Sequence, residues 1–316
     1  MSPGLPHRVI VVGSITADVT AFNSRLPQPG ETLLGESFNL VLGGKGANQA
    51  LAAAMAGAGT SMIGCVGQDL FRDMVLQGLR DGGVDITAVE EVAGPTGVAH
   101  IRVNSATGQN DIVIVPLANS HAIPELVERN LRDIGNPGDV LLLQLEIPVE
   151  TAVHAARLAN TLGMRVVLDP APAAALPDEL WPLVDVVTPN ESEAEVLTGI
   201  TVSDTESAVE AAQWFICRGV TTALITLAEK GVVESNGRDI RHTPAPSVEV
   251  VDTTAAGDAF TGHLGAGMAT GLPWESSVQR AVYAGALAVT KRGASPSLPT
   301  SDEVTAFMDN SPDTRS

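Results

Sequence analysis

The chain has 316 residues, enough for one large α/β domain with an appendage or for two small domains. Its 37 acidic and 18 basic residues give a formal net charge of −19, which argues against nucleic acid and anionic membrane as partners, because both require an exposed basic surface. No apolar run reaches 18 residues, Val9–Val12 is too short for a signal peptide, and Cys65 and Cys217 lack metal-type spacing; the expectation is a cytoplasmic protein with reduced thiols and a small-molecule partner.

In chain order, residues 8–13 form a short run of β-branched residues ending at Gly13, as expected of a buried parallel strand. Three short strands at 18–22, 31–34 and 37–42 follow, separated by Pro27, Pro29, Gly30 and Gly35. An antiparallel excursion directly after the first core strand suits a lid. The Gly-rich stretch 43–48 leads into an Ala-rich helix at 49–57, a strand at 61–66 and a helix at 69–81. A second β piece at 98–103 and 111–115, around a hairpin loop at 104–108, completes the same lid.

The rest alternates: strand Val140–Leu143, helix Val149–Leu162, strand Arg165–Leu168, strand 184–188, helices at 191–197 and 207–218, and strand 223–227. Such a rhythm predicts an α/β fold with a doubly wound, mostly parallel sheet covered on both faces. A hairpin at 231–243 turns on Asn236-Gly237, a β-type segment closes at Val248, Val250 and Val251, and helices follow at 256–268, 274–290 and 302–308. Residues 1–309 are therefore expected to form one domain, with lid strands from about 16–42 and 97–116, and 310–316 a frayed tail.

Chemistry concentrates at 251–263, Val-Asp-Thr-Thr-Ala-Ala-Gly-Asp-Ala-Phe-Thr-Gly-His. Ala255, Ala256 and Gly257 leave the first N–H groups of a helix uncovered, a site for an anion such as phosphate. Asp258 follows in the first turn, where the helix dipole keeps a carboxylate ionised and able to accept a proton. A cradle for an anion beside a carboxylate points to phosphoryl transfer to a hydroxyl. Asp18, Glu146, Asp169, Asn190 and Asp252 also fall at expected strand ends, where open parallel sheets bind ligands.

Gly43-Gly44-Lys45-Gly46 lacks the Walker spacing. It is either a plain turn capping a helix or a place where Gly44 lets backbone approach a ligand, with Asn48 facing the same pocket. No G-x-G-x-x-G follows Gly13, which disfavours a dinucleotide. Asn190 and Glu193 make a capping box, or order water on a phosphate-bound Mg²⁺, and both can hold at once. The six histidines show no metal or nucleophile spacing, and with the three tryptophans they read as surface or packing residues.

Together, Gly13-Ser-Ile-Thr-Ala-Asp18, Pro29-Gly-Glu-Thr32, Gly43-Gly-Lys-Gly-Ala-Asn-Gln-Ala50, Gln144-Leu-Glu146, Asp169-Pro-Ala-Pro172, Thr188-Pro-Asn-Glu191 with Glu193, Ile225-Thr226 with Lys230-Gly231, Asp252-Thr-Thr-Ala-Ala-Gly-Asp-Ala-Phe260 and Lys291-Arg-Gly-Ala-Ser-Pro-Ser297 resemble the ribokinase-like family of carbohydrate kinases. The match runs in order from about Arg8 to Phe307. The resemblance implies ATP-dependent phosphorylation of a pentose at its primary hydroxyl, D-ribose first. Alternatives are 2-deoxyribose, another furanose or a nucleoside, and a non-catalytic sugar-binding sensor is a further reading.

By the same resemblance, Asp258 is the base and the N–H groups of Ala255, Ala256 and Gly257 are the anion hole. Thr16, Asp18, Gly44, Lys45, Asn48 and Glu146 would hold the sugar. Asn190, Glu193, Thr226, Gly231 and Gly257 would serve the nucleotide, with Glu193 reaching Mg²⁺ through water. An activating K⁺ would lie among Asp252, Thr254, Ala288, Lys291, Gly293 and Ser297, and the lid would join a homodimer. Two positions depart from the family pattern: Thr16, where Asn is usual, and Ala228, where Gly is common in the nucleotide loop.

Overall fold

The computed structural model describes residues 7–107 and 109–311. In chain order the elements are β1 (Val9–Val12), β2 (Thr16–Asn23), β3 (Ser37–Gly43), α1 (Lys45–Met55), β4 (Thr60–Val66), α2 (Leu70–Asp81), β5 (Val84–Glu91), β6 (Gly97–Asn104), β7 (Asn110–Val115) and α3 (Pro124–Ile134). Then come β8 (Val140–Leu143), α4 (Val149–Leu162), β9 (Arg165–Leu168), β10 (Val186–Val187), α5 (Glu191–Thr198), α6 (Thr205–Ile216), β11 (Thr222–Thr226), β12 (Val232–Ser235), β13 (Ile240–Thr243), α7 (Ala256–Thr270), α8 (Trp274–Ala288) and α9 (Ser301–Asn310).

Nine strands form one sheet in the order β13-β12-β11-β10-β9-β8-β1-β4-β5. All its pairings are parallel except those of the β11–β12–β13 hairpin edge. Side-chain alternation along a strand puts successive residues on opposite faces. Ile10, Val12, Leu141 and Leu143 therefore pack in one core with α3, α4 and α6, while Val9, Val11, Val140 and Leu142 pack in the other with α1, α7 and α8. With both faces covered, β1 and β8 are apolar at every position and fully buried. Among the described residues no helix is long and apolar enough to cross a membrane.

The lid is a separate sheet, β3-β2-β6-β7. It is mixed, not an antiparallel excursion: β2 pairs antiparallel with β3 but parallel with β6. Residues 31–34 are not a strand, because Glu31 folds back instead, its carboxylate accepting from Arg25 and from Gln28 N while its own N–H donates to Gln28 O at 2.9 Å. Gly108 of the expected hairpin loop lies outside the described residues, as do 312–316 of the expected tail; α9 itself runs to Asn310.

Other boundaries moved for local reasons. α1 begins at Lys45, four residues before the expected start, because Gly44 at φ +89° makes the turn into it. Asp204 caps α6 with Ser207 and starts that helix at Thr205. The strand expected at 184–188 is only Val186–Val187. No strand forms at Val248–Val251, where Val250 and Val251 are exposed and the Val251 N–H donates to Val289 O at the end of α8. β5 and α3 were not anticipated: β5 adds a parallel edge to β4, and α3 buries Leu126, Val127 and Leu131 on one amphipathic face.

Candidate active site

The site forms where the lid meets the helices that begin at the carboxyl end of the large sheet. Asp18 lies within the lid strand β2, not at the end of β1. A Cβ on Gly43 would come within 2.1 Å of the Asp18 carboxylate, so that side chain occupies the space glycine leaves. The turn at Gly44 then aims the first N–H of α1 at Glu146: Lys45 N donates to Glu146 Oε2 at 2.9 Å, and Ser14 Oγ donates to the same oxygen. An acidic group is favoured there by the helix dipole.

α1 presents Lys45, Asn48 and Gln49 to the start of α7. Asn48 Nδ2 donates to Asp258 Oδ2 at 2.9 Å and Gln49 Nε2 to Asp258 Oδ1 at 3.1 Å, with Lys45 Nζ 3.7 Å from that Oδ1. Asp258 is 4% exposed. Lys45 Nζ also sits 3.4 Å from Asp169 Oδ2, which accepts from Gln49 Nε2 at 2.8 Å. Burial opposes the Lys45 charge, but Asp169, Asp258, Glu146 and Glu193 outweigh it and hold the ammonium raised and protonated. For Asp169, burial dominates and raises the carboxyl above its ordinary value against the pull of Lys45.

The Thr16 hydroxyl is engaged by its neighbour on β2, Asp18. Oγ1 donates to Asp18 Oδ1 at 2.7 Å. Burial nevertheless pushes Asp18 up to about 6, with Glu146 and Asp258 adding repulsion and the Thr16 bond opposing them.

At the start of α7, Ala255 adopts φ +61°, a left-handed conformation unusual for a residue with a side chain, and no side chain caps the helix. The Ala256 N–H donates to Thr253 O at 3.4 Å, and the other first-turn N–H groups have no helical carbonyl upstream to receive them. A Cβ on Gly257 would meet nothing within 4 Å, so open space faces that residue. Thr16, Asp18, Gly44, Lys45, Asn48, Glu146, Thr254, Ala255 and Asp258 line one cleft of about 330 Å³, covered on the lid side by Ala99, Ile101, Ile112 and Ile114.

A second group lies outside this cleft, at the ends of β10 and β11. Asn190 and Thr226 are bridged in parallel, and Asn190 and Glu193 form the expected capping box at 2.9 Å in both directions. Gly231, at φ +95°, closes the loop after Thr226 by accepting from Leu227 N at 2.8 Å. The field of Glu193 reaches Lys45 and Asp169, which ties this group to the first.

A third group surrounds Asp252. Its Oδ1 accepts from Thr254 N at 3.0 Å and Thr254 Oγ1 at 2.6 Å, and its Oδ2 from Gly293 N at 2.9 Å. Burial pushes this carboxyl up, but those bonds prevail and hold it below its ordinary value. Nearby, Lys291 N donates to Ala288 O at 3.3 Å and Ser297 Oγ to Ala294 O at 2.8 Å. Among the described residues no cluster of three His, Cys, Asp or Glu side chains is placed to hold a metal ion.

A family profile described as pfkB family carbohydrate kinase matches residues 6–301. The chain belongs to the pfkB family of carbohydrate kinases. This kinase is 42% identical over 305 residues to the ribokinase of Haemophilus influenzae, across 95% of its own length and 98% of that relative. It is 34% identical over 302 residues to the deoxyribokinase of Salmonella typhi, across 95% and 98%. Its fold matches the structure of Arabidopsis thaliana ribokinase complexed with ribose and ATP with a TM-score of 0.87 at 32% identity, across 97% of this chain and all of that one.

Three polar residues of the kinase had no role assigned from sequence: Ser14, Gln49 and Gln144. Gln49 follows Asn48 on a helix, so local spacing points the two side chains apart. In the fold both reach Asp258, because α1 crosses the start of α7 closely enough for neighbouring positions to straddle it.

Proposed function

We propose that this kinase transfers the γ-phosphoryl group of ATP to the primary hydroxyl of a pentose, with D-ribose the preferred substrate. The observation that carries the reading is Asp258: a buried carboxylate, held by Asn48, lining a sugar-sized cleft beside the uncapped start of α7.

Asp258 accepts the hydroxyl proton as that oxygen attacks phosphorus. The N–H groups of Ala255, Ala256 and Gly257 face the charge on the transferred group, where fixed dipoles in a water-poor site stabilise it without reorganising. Lys45 adds a positive charge between the two carboxylates. Asp18 and Glu146 each have one oxygen engaged by Thr16 or by the start of α1, and their remaining capacity suits sugar hydroxyls. Asn48 Oδ1 is buried with no partner among the described residues, which suits a hydroxyl donor.

Asn190, Glu193, Thr226 and Gly231 are assigned to the nucleotide. The capping box occupies one Glu193 oxygen and leaves the other to accept from water on Mg²⁺. Asp252, the carbonyls of Thr254, Ala288, Lys291 and Gly293, and Ser297 offer the hard oxygens an alkali cation takes. When bound, K⁺ would supply positive charge beside the anion hole, and Asp252 already ties that turn to the 291–294 loop. Homodimerisation through the lid is supported by β7, an edge strand on which Val113 and Val115 are exposed on the face opposite the cleft-lining Ile112 and Ile114, and by exposed Phe38 on β3. Residues 1–309 act as one domain with this lid, in the cytoplasm.

A second reading, 2-deoxyribose, is favoured by Thr16, whose hydroxyl is turned to Asp18 where the longer Asn amide would extend into the cleft. ADP release over ribose, 2-deoxyribose, ketopentoses and nucleosides tests both. The highest kcat/KM is expected for ribose; higher values for 2-deoxyribose would replace it, and no sugar-dependent ADP release would sink the kinase reading.

A further inference from the structure

Beneath the carboxylate proposed as base lies a chain of two amides closed to solvent. Gln49 and Gln144 are both fully buried. Gln49 Nε2 donates one hydrogen to Asp258 Oδ1 at 3.1 Å and the other to Asp169 Oδ2 at 2.8 Å, and its Oε1 accepts from Gln144 Nε2 at 2.6 Å.

This network has one orientation. Turning Gln49 over would set its Oε1 against two carboxylates, so its Nε2 must face them and its Oε1 must face Gln144. Gln144 must then donate as well, which leaves Gln144 Oε1 buried without a partner among the described residues. That oxygen sits where a Cβ on Gly13 would come within 2.1 Å of it, so glycine at the end of β1 makes the room. An unsatisfied buried oxygen costs stability. Its consequence is a Gln49 amide pinned toward Asp258.

Asp258 needs such a restraint. Asn48 holds Oδ2, and without Gln49 the only group on Oδ1 among the described residues is Lys45 at 3.7 Å, itself shared with Asp169. The carboxylate would lean toward the ammonium and turn away from the substrate hydroxyl. We infer that Gln49, oriented by Gln144, is the positioning residue that sets the rotation of the Asp258 carboxylate and keeps Asp258 and Asp169 apart on one amide. The inference rests on the reading of Asp258 as base.

The test compares Gln49→Met, which keeps the length and removes the amide, and Gln144→Met, which removes only the donor that orients it. Gln49→Met is expected to lower kcat about 10- to 100-fold, while the dissociation constant of the sugar, measured by calorimetry without ATP, stays within about threefold of the parent. Loss of a hydrogen bond to the ionised form also moves the acid limb of the pH–rate profile to higher pH. The charged groups facing the pair, Lys45, Asp169, Asp18, Glu146 and Glu193, are unchanged in both variants. Gln144→Met should show the same two changes, smaller.

A folded Gln49→Met with parental kcat and acid limb overturns the inference, as does a kcat loss that only follows the folded fraction with no movement of the limb. If Gln49→Met does not fold, Gln144→Met decides by the same two measurements. Absence of sugar-dependent ADP release from the unsubstituted kinase overturns the proposed reaction instead, so the two failures are told apart.

Discussion

Asn48 and Asp258 stand 210 residues apart in the chain and meet at 2.9 Å, amide donor to carboxylate. Small residues make the meeting possible: a Cβ on Gly262 of α7 would lie 2.4 Å from the Ala52 side chain of α1, so the two helices approach as closely as backbones allow. The two residue types that define the cleft are thus set by a contact made one turn away.

For the proton transfer itself, Asp258→Asn preserves shape and removes the acceptor. Turnover should fall by roughly 10²- to 10⁴-fold, with sugar binding retained within a few-fold. Coupled ADP formation and calorimetry measure the two separately, and an undiminished rate would remove Asp258 from the role of base.

Asp18 links pH to both binding and stability. Its folded value of about 6 lies above its ordinary 3.8. Folding therefore favours the protonated form, and its contribution to stability is fully present below about pH 4 and is lost as pH rises through 6. Asp18→Asn should raise Tm by a few degrees at pH 8 and change it little at pH 4. The sugar KM should rise in that variant at pH 8, and in the parent as pH falls below 6, where the carboxyl carries a proton. A flat parental KM between pH 5 and pH 8 would contradict this account.

Thr16 bears on the choice of sugar. Thr16→Asn supplies an amide that extends beyond Asp18, and it should shift kcat/KM toward ribose over 2-deoxyribose by roughly tenfold, the worth of one neutral hydrogen bond. Thr16→Val deletes the bond at 2.7 Å to Asp18 and should move the rise in KM to higher pH, since that bond favours the ionised form. An unchanged sugar ratio in Thr16→Asn would separate this position from selectivity.

Removal of alkali cation addresses the third group. Exchange of K⁺ for Na⁺ should lower kcat roughly tenfold by loosening the turn that carries the anion hole, and Asp252→Asn should lose most of the response to K⁺. Equal rates in the two buffers would argue against a cation beside Asp252.

Much of this molecule can be read along the chain. Val140–Leu143, Val149–Leu162 and Arg165–Leu168 occur at the residues expected of them, because continuous apolar runs and Ala-rich periodic ones report a strand or helix within a few neighbours. The helix start at 255–258 is likewise a local feature, since the first N–H groups of any helix lack a carbonyl partner within it. Motif order along the chain was enough to indicate a carbohydrate kinase.

Spacing does not report which polar groups share a hydrogen. The parallel β2–β6 pairing, the reach of Asn48 to Asp258 and the shared Gln49 amide all depend on distances between elements. Those distances follow from how closely glycine and alanine let helices and strands approach, and contacts made across 95 to 210 residues carry no periodic signature in either partner. Packing therefore chose the partners, while local pattern chose the elements that carry them.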